Sequence, residues 1–88
     1  MFQDDGLSLA DLPVGQGATV VGVPNSADPA CRRLCDLGFL PGTPVRVVRR
    51  APLGDPTVYD VRGSHTALRR AESREIRVTL SAPVVIKS

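Results

Sequence analysis

Glycine and proline punctuate this chain from end to end, eight of each in 88 residues, and that punctuation limits it to short elements joined by tight turns. Proline fixes its own backbone angle and lacks an amide donor, while glycine admits left-handed turns that other residues avoid. The pieces between them are rich in valine, leucine, isoleucine and threonine, the composition of strands.

Five strands are expected. Ala18-Thr19-Val20-Val21-Gly22-Val23 is rich in β-branched residues. Pro44 to Arg50 and Thr57 to Arg62 alternate well enough to have one wet face, with Tyr59 and Val61 on the dry side of the second. Thr66 to Arg69 is a short strand before a helical turn at Arg70-Ala71-Glu72-Ser73. The cleanest alternation comes last: Glu75, Arg77 and Thr79 are expected to face water, and Ile76, Val78 and Leu80 the core. Tight reversals are expected at Phe39 to Thr43, at Leu53-Gly54-Asp55-Pro56 and at Gly63-Ser64. Short strands closed by such turns predict a mainly β fold, a small barrel that pairs most of its edges.

Two segments break the pattern. Ser8 to Leu12 reads as a helical turn, with Ser8 placed to cap it, Asp11 to answer that cap and Pro13 to stop it. Further on, Asp28 suits a helix N-cap, Pro29 the first helical position, and Gly38 the left-handed position beyond the end. Between them Ala30, Leu34 and Leu37 form a stripe that Cys31 and Cys35 widen, and Arg32 and Asp36 lie opposite.

A chain of this length holds one core, so residues 1–88 are expected to be a single domain, with its core at about 7–80 and a tail at 81–88. Aromatic residues are 3% of the chain, so the core must be aliphatic. No apolar run approaches the ~20 residues that span a bilayer, and Met1 to Asp5 lacks the regions of a secretion signal. A cytoplasmic location is therefore expected. Cys31 and Cys35 stand four apart on one helix, where Cβ atoms lie about 5–6 Å apart. A disulfide needs about 3.8 Å, so both are expected to be thiols.

Catalytic chemistry finds no complete set of groups. The one histidine, His65, falls in a turn far from either thiol in sequence, with no third group to orient it, so no enzyme is expected. Cys31 and Cys35 at i and i+4 could share a metal ion, but only His65 and scattered carboxylates could complete the shell, so neither a metal site nor another cofactor is expected. A metal-sensing domain built on Cys31 and Cys35 is one alternative. A nucleic-acid-binding barrel is another, because Arg46, Arg49, Arg50, Arg69, Arg70, Arg74 and Arg77 would form a basic patch if their strands lay together. The shortage of rings to stack on bases argues against nucleic acid as the partner, and the formal charge is only +2.

Arg33-Leu34-Cys35-Asp36-Leu37-Gly38-Phe39-Leu40-Pro41-Gly42-Thr43, followed by Val45-Arg46-Val47 and by Ala51-Pro52-Leu53-Gly54-Asp55-Pro56, resembles the FeoA family of bacterial ferrous iron transport. The similarity continues through Ala67-Leu68-Arg69 and Ile76-Arg77-Val78. Cys31 and Cys35 stand where the family usually has other small or apolar residues. The resemblance implies an SH3-like β-barrel with a short helical insertion after the first strand. It also implies a cytosolic accessory protein that binds and regulates FeoB, the membrane ferrous iron permease with a cytosolic G-protein domain, and meets the membrane only through that partner. A related domain occurs at the carboxyl end of iron-dependent repressors, whose DNA-binding region is not expected here. Loops and insertions carry function on small barrels, so the helix is the expected contact surface: Arg32, Arg33, Leu34 and Leu37, with Phe39 as an apolar anchor.

Overall fold

The computed structural model describes residues 7–25 and 27–80. The expected tail at 81–88, the amino end at 1–5 and Ser26 lie outside them. The elements in chain order are β1 (Leu7–Ser8), a 3-10 turn (Leu9–Asp11), β2 (Gly17–Gly22), α1 (Pro29–Asp36), β3 (Pro44–Arg50), β4 (Thr57–Val61), β5 (Ser64–Leu68), α2 (Arg70–Ser73) and β6 (Arg77–Thr79). The six strands make one sheet in the order β1-β6-β2-β3-β4-β5, antiparallel at every pairing. One more strand is present than the five expected: β1 is only two residues long and pairs Leu7 with Val78 and Ser8 with Arg77, too short to show alternation in sequence. The helical insertion therefore follows the second strand.

The sheet curls without joining its ends, so β1 and β5 remain edges of a barrel-like fold. Two irregularities help it bend. Register shifts between Val20 and Gly22 on β2 and between Val47 and Arg49 on β3, and a bulge of this kind increases local twist. One core fills the concave side: Leu9, Val20, Val45, Val47, Tyr59, Val61, Leu68, Ile76 and Val78 pack with Leu34 and Phe39. Each such aliphatic side chain taken out of water contributes about 1.5–3 kcal/mol.

Local signals explain the helical pieces. Asp28 Oδ1 accepts the Ala30 amide at 2.8 Å, and Pro29 opens α1. At the other end the Gly38 amide donates to Cys35 O at 3.0 Å and the Phe39 amide to Leu34 O at 3.2 Å, the paired bonds of a Schellman motif. Gly38 sits at φ +111°, where a side chain is strained. Its turn sends Phe39 back under the helix, beside Leu34 in the core. In the first turn the Ser8 amide and hydroxyl both donate to Asp11 Oδ2, at 2.9 and 3.2 Å.

The inner face of α1 is rotated from the expected stripe. Cys31 and Leu34 are buried and Cys35 is half-buried, while Ala30 is exposed and Leu37 lies at the rim. Leu80 also departs from expectation. It is 50% exposed because the β6 ladder ends at Thr79, which pairs with Thr19, and no strand pairing holds the next residue to the alternation.

Candidate partner-binding surface

Of the five residues expected to make the contact, two belong to the interior. Leu34 is 1% exposed on the inner face of α1, and Phe39 is fully buried because the Schellman turn sends it back into the core. Both therefore act on the surface only by holding α1 in place. Arg32 and Arg33 are exposed on the outer side, and Leu37 lies partly open at the helix end. Leu40, just past the turn, is a second exposed leucine. Sequence reasoning passed over Leu40 because it lies beyond the helical stripe.

A chain of polar contacts braces this surface. Arg33 Nη1 lies 2.7 Å from Glu72 Oε2, joining α1 to α2. Glu72 Oε1 accepts the Arg69 amide at 2.9 Å, so one carboxylate caps α2 and ties it to α1. Those two interactions, the amide bond foremost, hold the Glu72 carboxyl below its ordinary pKa against the opposing effect of partial burial. The spacing of Arg69 and Glu72 was the available sign, an N-cap followed three residues later by glutamate.

From α2 the bracing continues to the β3–β4 connection. The Arg70 amide donates to Asp55 Oδ1 at 3.0 Å. Within the connection the Gly54 amide donates to Ala51 O at 2.7 Å and the Ala51 amide to Pro56 O at 3.0 Å. Leu53 stands at the tip, 96% exposed, between exposed Pro52 and half-buried Gly54.

The groups considered for metal or nucleophile chemistry are dispersed. Cys31 Sγ faces Glu75 Oε1 at 3.9 Å, and burial first, then the Glu75 charge, push this thiol above its ordinary pKa. Cys35 is a second free thiol on the same helix. His65 is exposed on the edge strand β5, opposite Asp60 of β4. Among the described residues no three of His, Cys, Asp and Glu gather as a metal site.

The arginines do not form one continuous patch either. Arg46 Nη1 donates to Gly15 O at 2.9 Å, and Arg50 is committed to Thr57 Oγ1 at 3.0 Å and to Leu12 O at 2.8 Å. An open groove of about 340 Å³ lies between Gly17, Pro44, Arg46, Asp60 and Arg62 on the sheet. No helix among the described residues is long and apolar enough to cross a membrane.

The sequence pattern of the FeoA domain matches residues 7–80. This chain belongs to the FeoA family. A FeoA solution structure from Chlorobium tepidum is 41% identical, with a TM-score of 0.72 over 82% of this chain and 68% of that one. The FeoA of Stenotrophomonas maltophilia, crystallised with zinc and described as a prokaryotic SH3 domain protein, is 34% identical, with a TM-score of 0.74 over 83% of this chain and 89% of that one. A fusion of Fe(2+) transport protein A with the Fe(2+) transporter FeoB, from Porphyromonas gingivalis, is 32% identical over 74 residues. That match takes in 84% of this chain and 9% of the fusion protein. The expected family and SH3-like fold are thus borne out.

Proposed function

We propose that this protein is an accessory component of ferrous iron transport that binds the cytosolic part of a FeoB-type permease and regulates it. One observation carries the reading: in the Porphyromonas gingivalis relative, a segment like this chain and a FeoB transporter share one polypeptide. Fusion of two activities favours their working side by side, since a tether raises the effective concentration of each at the other.

The contact would use the outer side of α1. Arg32, Arg33 and Leu37 are exposed there, and Leu40 extends the apolar strip. Leu34 and Phe39 support this surface from below. A pair of exposed leucines flanked by guanidinium groups suits a partner face that is apolar at the centre and acidic at the rim.

Titration of the purified cytosolic region of FeoB with this protein tests the reading, alongside Fe²⁺ uptake in cells lacking it. Saturable binding and reduced uptake are expected. Absence of binding to both that region and intact FeoB would defeat it.

A further inference from the structure

Leu53 is the most exposed large apolar side chain among the described residues, at 96%, against 37–54% for Val14, Leu37, Leu40 and Leu80. A single surface leucine is ordinary, but this one is presented on a tip that is built rather than loose. The Gly54 and Ala51 amides close the connection on itself, and Asp55 Oδ1, two residues from Leu53, accepts the Arg70 amide of α2. Pro52 and Pro56 further restrict the backbone on either side. A tip held this way loses little conformational freedom on docking, which is what an anchoring side chain requires.

Charge around the tip points to its occupant. The tip is fastened to the start of α2, where Arg69 and Arg70 are exposed, with Arg74 exposed at the helix end and Arg49 exposed on the strand leading into the connection. The acids here are Asp55, one oxygen of which accepts the Arg70 amide, and Glu72, which is paired with Arg33, so the four arginines outnumber them. This neighbourhood is basic, so its complement is an apolar pocket with a carboxylate rim. The surface is also continuous with α1 through the Arg33–Glu72 pair and the Glu72–Arg69 bond.

We propose that the Leu53 tip is a second contact on the same partner, seating in an apolar, acid-rimmed pocket on the cytosolic region of the FeoB-type permease while α1 engages beside it. The inference rests on the proposed binding of FeoB, and the test separates the two.

The experiment is titration of the FeoB cytosolic region with the full chain and its variants at two salt concentrations, each variant's fold first checked by thermal melting. Because Leu53 touches so little, Leu53→Ala and Leu53→Asp should melt as the parent does. Removing most of one buried leucine side chain is expected to weaken binding about tenfold for Leu53→Ala, and more for Leu53→Asp. Leu53→Met should bind within a few-fold of the parent. Arg70→Glu should weaken binding and flatten its salt dependence, since the brace to Asp55 uses the backbone amide. Val14→Asp, at another exposed apolar position, should change nothing.

Parental binding with Leu53→Asp equally tight would overturn the Leu53 contact and leave the FeoB reading standing. No binding by the parent would remove both. A change in self-association on Leu53→Asp, seen by sedimentation with FeoB binding intact, would give the tip to a second copy of the chain and also overturn the proposal.

Discussion

Replacing Gly38 by alanine tests whether the left-handed exit of α1 organises this surface. An L-residue forced into left-handed backbone costs roughly 1–2 kcal/mol, and φ +111° lies beyond the usual left-handed well, which favours the upper end. The added Cβ would also stand 3.3 Å from Arg62 Cδ and 3.4 Å from Val61 Cγ1. Arg62 is exposed and can swing aside, but Val61 is 2% exposed and pinned between Val45 and Ser64 in the ladder. Crowding of this kind adds about 1 kcal/mol, for a total near 2–3 kcal/mol. Gly42 supplies the comparison, because it has φ +86° with nothing within 4 Å of its Cβ, so Gly42→Ala meets only the backbone penalty. Urea unfolding of both variants should show Gly38→Ala destabilised more by about 1 kcal/mol with unchanged slopes. In melting temperature that difference is roughly 4–8 °C for a domain of this size. Equal losses would refute the role assigned to Val61. A loss below about 0.5 kcal/mol for Gly38→Ala would refute the dependence of α1 on its left-handed exit.

Three further outcomes are expected. Arg62 and Gly63 carry φ of 54° and 83° in the β4–β5 turn, so Arg62→Asn, which suits the left-handed position of a two-residue hairpin, should stabilise the protein by about 0.5–1 kcal/mol in urea unfolding. The Glu72 carboxyl has a folded pKa below its ordinary 4.5; its stabilisation is therefore complete above that value and lost as pH falls through the folded pKa. The stability gap between the parent and Glu72→Gln should narrow as the pH falls below the ordinary 4.5, and a gap that stays constant on acidification would refute the charge contribution. Buried Cys31, its pKa raised, should resist a maleimide at neutral pH while half-buried Cys35 reacts, a difference mass spectrometry resolves and unfolding should erase.

Where the governing forces are local, the chain could be read directly. Asp28, Pro29 and Gly38 fix both ends of α1 through their own backbone chemistry, and β3 and β4 follow from alternation that needs only one wet face and one dry face. The candidate surface was legible only in part, because helical spacing identifies an apolar stripe without saying which edge faces the sheet. Cys31 and Leu34 turned inward, leaving Leu37 at the rim. The burial of Phe39 is hidden for a related reason: its side-chain direction depends on the rotation introduced by Gly38. Leu53 carries no periodic signal at all, since its exposure comes from bonds made to α2, fifteen residues along the chain from Asp55. Leu80 shows the limit of alternation, which constrains a residue only while a neighbouring strand pairs with it.

The pairing of β1 with β6 makes the domain's entry and exit neighbours, Leu7 lying against Val78. During synthesis the hairpins between residues 44 and 68 can form as they emerge, but the first strand must wait for nearly the last before it has a partner. Docking of β6 between β1 and β2 is thus the step that completes the sheet. It also sets Leu7 and Val78 side by side, so the first and last described strands are held by one ladder.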